Sequence, residues 1–147
     1  MAIEEAIVYR LTTHSTLTDV VSASKINPIA SSQTYALPRI VYEVTSTDYE
    51  RSLTGSSPGL AEATIDFDCI ASTYSSAKSI ASILRNRLDR YHGNITSPGG
   101  IDETVNWIDL LDADDAYSQP QDGGDKGEYT VRMTFRIKYG VSVPAGT

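Results

Sequence analysis

The residues from Ala61 to Tyr91 constrain the fold most, because the hydrophobic period changes once, and sharply, within them. Ala61, Ala63, Ile65, Phe67, Cys69 and Ala71 alternate with Glu62, Thr64, Asp66 and Asp68. A period of two is what a half-buried strand needs, since successive side chains leave opposite faces of the pleat. Ala77, Ile80, Ala81, Leu84, Leu88 and Tyr91 then follow i, i+3, i+4 spacing, which places them in one apolar stripe and predicts a helix over 74–91. Ser72, Thr73 and Ser75 offer capping hydroxyls at its start, and Gly93 stands just past its end. A strand that feeds an amphipathic helix through so short a turn predicts a helix folded back onto a sheet.

The rest of the chain supplies that sheet. Tyr129, Val131, Met133, Phe135, Ile137, Tyr139 and Val141 alternate with Thr130, Arg132, Thr134, Arg136 and Lys138. At about 3.3 Å per residue this strand reaches roughly 40 Å, long for a small domain, so it bends or projects. Residues 39–53 alternate as well, with Ile40, Tyr42 and Val44 on one face and Val41, Glu43 and Thr45 on the other. The turn composition of Thr54–Gly59 predicts an antiparallel hairpin into the next strand. Thr104–Leu111 has strand character, with Val105 and Trp107 expected opposite Ile108 and Leu110. Ile3, Ala6, Ile7 and Leu11 predict an N-terminal helix with Glu4 and Glu5 in its first turn. A short helical turn follows around Leu17, Val20 and Val21, with Ser15 or Thr16 as its cap, and 25–30 reads as a short extended piece.

The expected fold is therefore α+β, in one domain over 1–147: a mainly antiparallel sheet from strands near 39–53, 61–71, 104–111 and 128–141. The 74–91 helix covers one face and the N-terminal helix packs nearby. A chain of 147 residues buries roughly two thirds of its unfolded surface, enough for a core. Residues 112–127 are acidic and glycine-rich without periodicity, and read as a loop or arm; 142–147 read as a loose tail. If the strands near 61–71 and 128–141 are neighbours, Glu62, Asp66 and Asp68 face Arg132, Arg136 and Lys138 as cross-strand pairs.

Chemistry is sought and not found. The sequence holds no phosphate-binding glycine loop, HExxH, CxxC or nucleophile elbow. His14 and His92 stand far apart without metal-ligand spacing, and Cys69 on an apolar strand face reads as a small buried hydrophobe. Asp109, Asp112, Asp114 and Asp115 fail the calcium-loop pattern, because Ala116 falls where an oxygen ligand is needed. The expectation is a non-enzyme with no catalytic residue, cofactor or metal. No apolar run approaches a membrane span, the N-terminal residues lack a basic leader, and a net charge of −7 opposes general DNA binding. Lys78, Arg85, Arg87 and Arg90 concentrate cations on the predicted helix, beside Ile83 outside its apolar stripe. Ile83, Arg85, Arg87 and Arg90 are thus a candidate subunit interface, with the acidic Asp112–Asp125 segment of a neighbouring copy as its counterpart.

The order of YALPRIVYEV (Tyr35–Val44), the Gly59–Gly93 run containing Asp68-Cys69-Ile70-Ala71-Ser72-Thr73-Tyr74, and a final aromatic-alternating strand resembles the small tail-completion, or tail-terminator, proteins of long-tailed bacteriophages. The resemblance covers most of the chain. It implies a virion protein, assembled in the host cytoplasm, that forms a ring, expected hexameric, at the head-proximal end of the tail tube. Such a ring ends tube growth, joins the tail-tube protein to the head-tail connector or stopper, and lets double-stranded DNA pass without specific binding. In that setting Asp112, Asp114, Asp115, Asp122 and Asp125 are candidates to face the channel or a neighbour. Another head-tail joint component, either a head-side stopper or a tail-tube subunit, is the alternative, and a small metal-dependent hydrolase a more distant one.

Overall fold

The computed structural model describes residues 3–28, 37–49, 60–96, 102–118 and 127–140. The predicted turns near Ser31–Ala36, Thr54–Gly59 and Pro98–Gly100, the loose 142–147 tail, and Asp122 and Asp125 lie outside them.

The chain is α+β, as expected. Its elements are α1 (Ile3–Thr12), α2 (Ser15–Thr18), a 3₁₀ turn (Ala23–Lys25), β1 (Ile26–Pro28), β2 (Arg39–Tyr49), β3 (Leu60–Ala71), α3 (Tyr74–Leu88), β4 (Gly93–Thr96), β5 (Asp102–Ser118) and β6 (Glu128–Gly140). The strands form one six-stranded sheet in the order β1-β2-β3-β6-β5-β4. All pairs are antiparallel except β1 on β2. The two strands with the clearest alternation, β3 and β6, sit side by side at the centre, paired from Leu60↔Gly140 to Ala71↔Tyr129.

The helices occupy one face. Ile3, Ala6, Ile7 and Leu11 of α1, Leu17 of α2, and Ala77, Ile80, Ala81, Leu84 and Leu88 of α3 share a core with Ile65, Phe67, Phe135 and Ile137 of the sheet. Phe67 and Phe135 meet edge to face across the central pair, with ring centroids 5.9 Å apart. Thr73 caps α3: its hydroxyl accepts from the Ser76 N–H at 3.2 Å, so of the three hydroxyls offered it is the middle one that works. In α2 neither Ser15 nor Thr16 caps; His14 holds that position without a side-chain bond.

Three expectations need correction. Helix α3 ends at Leu88 rather than Tyr91, and the left-handed residue after it is Arg90 (φ 66°), not a glycine. The Arg90 N–H bonds Ile108 O at 2.7 Å and the Asp89 carboxylate accepts from Leu110 N–H at 3.1 Å, which fastens the helix end to β5. Second, Val105 and Trp107 do not share a face. A bulge between them puts Val105 opposite Tyr139 and Ile108 opposite Ile137, both toward the helices, while Trp107 stands beside Lys138 on the other side. Third, Asp112–Ser118 is not loop but the second half of β5, paired in unbroken register with Glu128–Thr134. Its own side chains carry no strand pattern; the backbone of β6, which runs the full length beside it, supplies the partners.

Candidate interaction surfaces

No described element covers the sheet face opposite the helices. That face is a ladder of charges. Arg132 donates to Asp68 through Nε at 2.8 Å and through Nη2 at 3.0 Å, and this pairing raises the guanidinium pKa. Thr134 donates to Asp66 at 2.7 Å. Arg136 reaches Asp109 on β5 at 3.2 Å and lies 3.7 Å from Glu62 on β3, the latter too long for a hydrogen bond. Arg39 and Glu128 pair at 3.5 Å. Of the cross-strand pairs expected from the two alternating strands, Asp68 with Arg132 forms in full and Glu62 approaches Arg136. Asp66 takes the Thr134 hydroxyl in place of a cation, Lys138 stands level with Glu62, and Asp109 is an addition. Acidic side chains exceed basic ones here, since Glu43, Asp112 and Asp114 share the face and stay exposed.

The helix face carries a different chemistry. Arg10 of α1 and Arg87 of α3 each donate Nε–H to the other's main-chain carbonyl, at 3.1 and 3.2 Å. Arg10 also lies over the Tyr91 ring, 3.5 Å from its centroid. Burial, and then the nearby Arg87 charge, lower the Arg10 pKa. Arg85 pairs with Asp89 at 3.9 Å along its own helix. Arg90 is exposed at the turn, and Ile83 is half-buried against the core margin rather than free of it. The four candidate interface residues therefore do not form one free flank: Arg87 is committed to α1, while Arg85 and Arg90 remain in solvent.

The acidic candidates divide in the same way. Asp112 and Asp114 point to the open sheet face, beside Thr134 and Arg132. Asp115 points to the helices, where Lys78 Nζ donates to it at 2.9 Å and Tyr74 Oη at 3.5 Å. The Asp115 hydrogen bond raises the Lys78 pKa. Around this pair sits an aromatic cluster: Tyr117 to Tyr129 at 4.7 Å and Tyr74 to Tyr129 at 6.2 Å between ring centroids, with Lys78 Nζ 5.5 Å from the Tyr74 ring. Tyr74 (53%), Tyr117 (50%) and Leu111 (49%) are the most exposed large apolar residues described. Nothing in the sequence marks Arg10 or Tyr117 as members of a site, and Tyr129 reads there only as an inward strand position. Four aromatics at 74, 117, 129 and 91 have no periodic relation, and only the fold brings the first three together.

Among the described residues no group of three or more His, Cys, Asp or Glu could hold a metal ion. No described helix is long and apolar enough to cross a membrane. Cys69 is fully buried, and burial, reinforced by Asp68, pushes its thiol pKa up. His92 stacks on Trp107 at 5.9 Å with 12° between the planes.

The fold itself has a solved counterpart. A chain from a structure described as "Virion of native gene transfer agent (GTA) particle" superposes with a TM-score of 0.64 over 95% of each chain, at 14% sequence identity. This chain shares its fold. No protein-family model matches. No curated protein matches either.

Proposed function

We propose that this chain is a structural protein of a phage-like virion, with the role of a tail terminator: a closed ring, hexameric, seated on the head-proximal end of the tail tube. The observation that carries the virion reading is the end-to-end likeness to a chain of a gene transfer agent virion, covering 95% of both. The terminator role rests on the resemblance of the 35–44 and 59–93 segments and the last strand. A head-to-tail interface that closes gives a fixed number of copies, and two unlike rims let one bind tube protein while the other receives the head connector or stopper. The role is architectural rather than catalytic. In keeping with this, Asp112 and Asp114 face away from Asp115 instead of converging with it.

The charge distribution fits passage of DNA. Six copies at −7 each carry −42. The sheet face that no described element covers, with its excess of carboxylates, is the surface suited to line the channel: it repels phosphate and leaves the duplex free to slide.

Native mass and negative-stain microscopy of the purified protein, alone and with tail-tube protein, test this reading. Single rings that cap tubes support it. Open-ended polymers of this protein alone identify a tube subunit instead, and binding to the head connector alone identifies a head-side stopper. Divalent-metal-dependent hydrolysis lost in Asp112→Ala, Asp114→Ala and Asp115→Ala would replace it with an enzyme.

A further inference from the structure

Arg39, Arg85, Arg132 and Arg136 each pair with an Asp or Glu. Arg10 and Arg87 do not. Both are half-buried and in contact, yet among the described residues no carboxylate pairs with either, in a chain of 19 acidic residues against 12 basic. Arg90 is unpaired too, but it is exposed. Between the last turns of α1 and α3, Arg10 and Arg87 line a cleft of about 140 Å³, together with Tyr9, Thr13, Tyr91 and Asn94, and no acidic side chain lines it. We infer that this cleft binds a carboxylate and, resting on the ring reading, that the carboxylate is an Asp or Glu side chain of the neighbouring copy.

The donors are held ready. Each Nε–H is engaged by the other arginine's carbonyl, and the Arg10 guanidinium lies 3.5 Å over the Tyr91 ring, which fixes its plane. The Nη groups of both have no acceptor among the described residues and are not sealed from solvent. A guanidinium edge matches the two oxygens of a carboxylate, and one already locked in place loses little freedom on binding it. Asn94 adds a donor: its Oδ1 accepts from the Thr104 hydroxyl at 3.0 Å, so its amide N–H groups remain for a ligand.

Charge selects the class of anion. Two guanidiniums bring two positive charges, and the C-terminal end of each helix offsets about half a charge. About one positive charge is left. A carboxylate cancels it, whereas a phosphate group at about −1.5 to −2 overshoots. Burial and the Arg87 charge lower the Arg10 pKa, a penalty that a bound anion relieves. Size agrees, because a cleft of about 140 Å³ has room for four or five waters at about 30 Å³ each, enough for a carboxylate and its first carbons.

Sodium acetate, exchanged against chloride at constant ionic strength, is the probe. In protein too dilute to form rings it raises the thermal unfolding midpoint saturably, by about 2 °C at about 100 mM. Arg10→Lys and Arg87→Lys keep the charge but lose the planar fork, and each abolishes the rise. Arg85→Gln, outside the cleft on the same helix, keeps it. At ring-forming concentration native mass shows self-association weakened at least tenfold in either lysine variant, and acetate disperses wild-type rings. No saturable rise, or a rise that persists in both lysine variants, overturns the site and leaves the ring reading standing. A larger rise with phosphate than with acetate overturns the carboxylate in favour of phosphate. Acetate binding with rings indifferent to both lysine variants overturns the neighbour's side chain and makes the ligand a free carboxylate. Protein that forms no rings, even beside tube protein, overturns the ring reading, while the acetate series still decides the site.

Discussion

Arg10 and Arg87 exchange hydrogen bonds through their backbones: each guanidinium donates Nε–H to the other residue's carbonyl oxygen, at 3.1 and 3.2 Å. Arg10 lies in the last turn of α1 and Arg87 in that of α3, so each cation satisfies a carbonyl near the negative end of the other's helix. The exchange holds two like charges together because each is answered by a main-chain dipole.

The two residues are not equivalent. Arg10 adds the Tyr91 ring contact, which Arg87 lacks. Arg87→Ala is expected to cost about 1 kcal/mol, one hydrogen bond partly offset by relief of the Arg10 charge. Arg10→Ala is expected to cost about 0.5–1 kcal/mol more. Urea unfolding of both variants checks the order; equal losses would deny the ring contact any energetic role.

Gly93 opens β4 at φ +143°, and a Cβ built there comes within 3.0 Å of the Tyr91 hydroxyl. That hydroxyl is held by Asn94 O at 3.3 Å. Gly93→Ala is expected to destabilise by about 1–3 kcal/mol, through backbone strain first and displacement of Tyr91 second. Thermal unfolding measures it, and a neutral or stabilising result contradicts the strained backbone.

Arg132 and Asp68 pair through two hydrogen bonds on the sheet face opposite the helices, where the arginine side chain is 55% exposed and the aspartate 15%. Solvent screens the arginine, so Arg132→Ala is expected to cost only about 0.2–1 kcal/mol. The loss should shrink in 1 M salt. A double-mutant cycle with Asp68→Asn, measured at low and high salt, separates this pairing from a packing effect.

Cys69 carries a pH dependence. Burial raises its folded-state pKa above that of the unfolded thiol. Below about pH 8.5 both states keep the proton and stability is unaffected. Above it the unfolded chain ionises first, so stability falls as pH rises, by up to about 1.4 kcal/mol per pH unit. Between about pH 8.5 and 10, before tyrosines and lysines titrate, Cys69→Ala should flatten that slope whatever it does to absolute stability. Urea midpoints across this window decide it, and a thiol reagent should label Cys69 only in the unfolded protein.

The sequence alone determined where periodicity speaks. Alternation over Ala61–Ala71 and Tyr129–Tyr139 marked the two central strands and their inward faces, and the Ala77–Leu88 stripe marked the helix that covers them. Opposite charges on two alternating strands announced the ladder of Asp68 with Arg132. These are local patterns, set by the geometry of one strand or one helix against one core. Tertiary structure decided whatever depends on a neighbour. Asp112–Ser118 is strand because β6 lies beside it, and Trp107 turned outward because a bulge absorbed one residue. Asp115 left the acidic run for Lys78, and Arg87 left the helix's cationic flank for Arg10. For Asp115 and Arg87 the deciding partner lies 37 and 77 residues away, where no spacing rule reaches; only the packed sheet and helices bring each pair within a hydrogen bond.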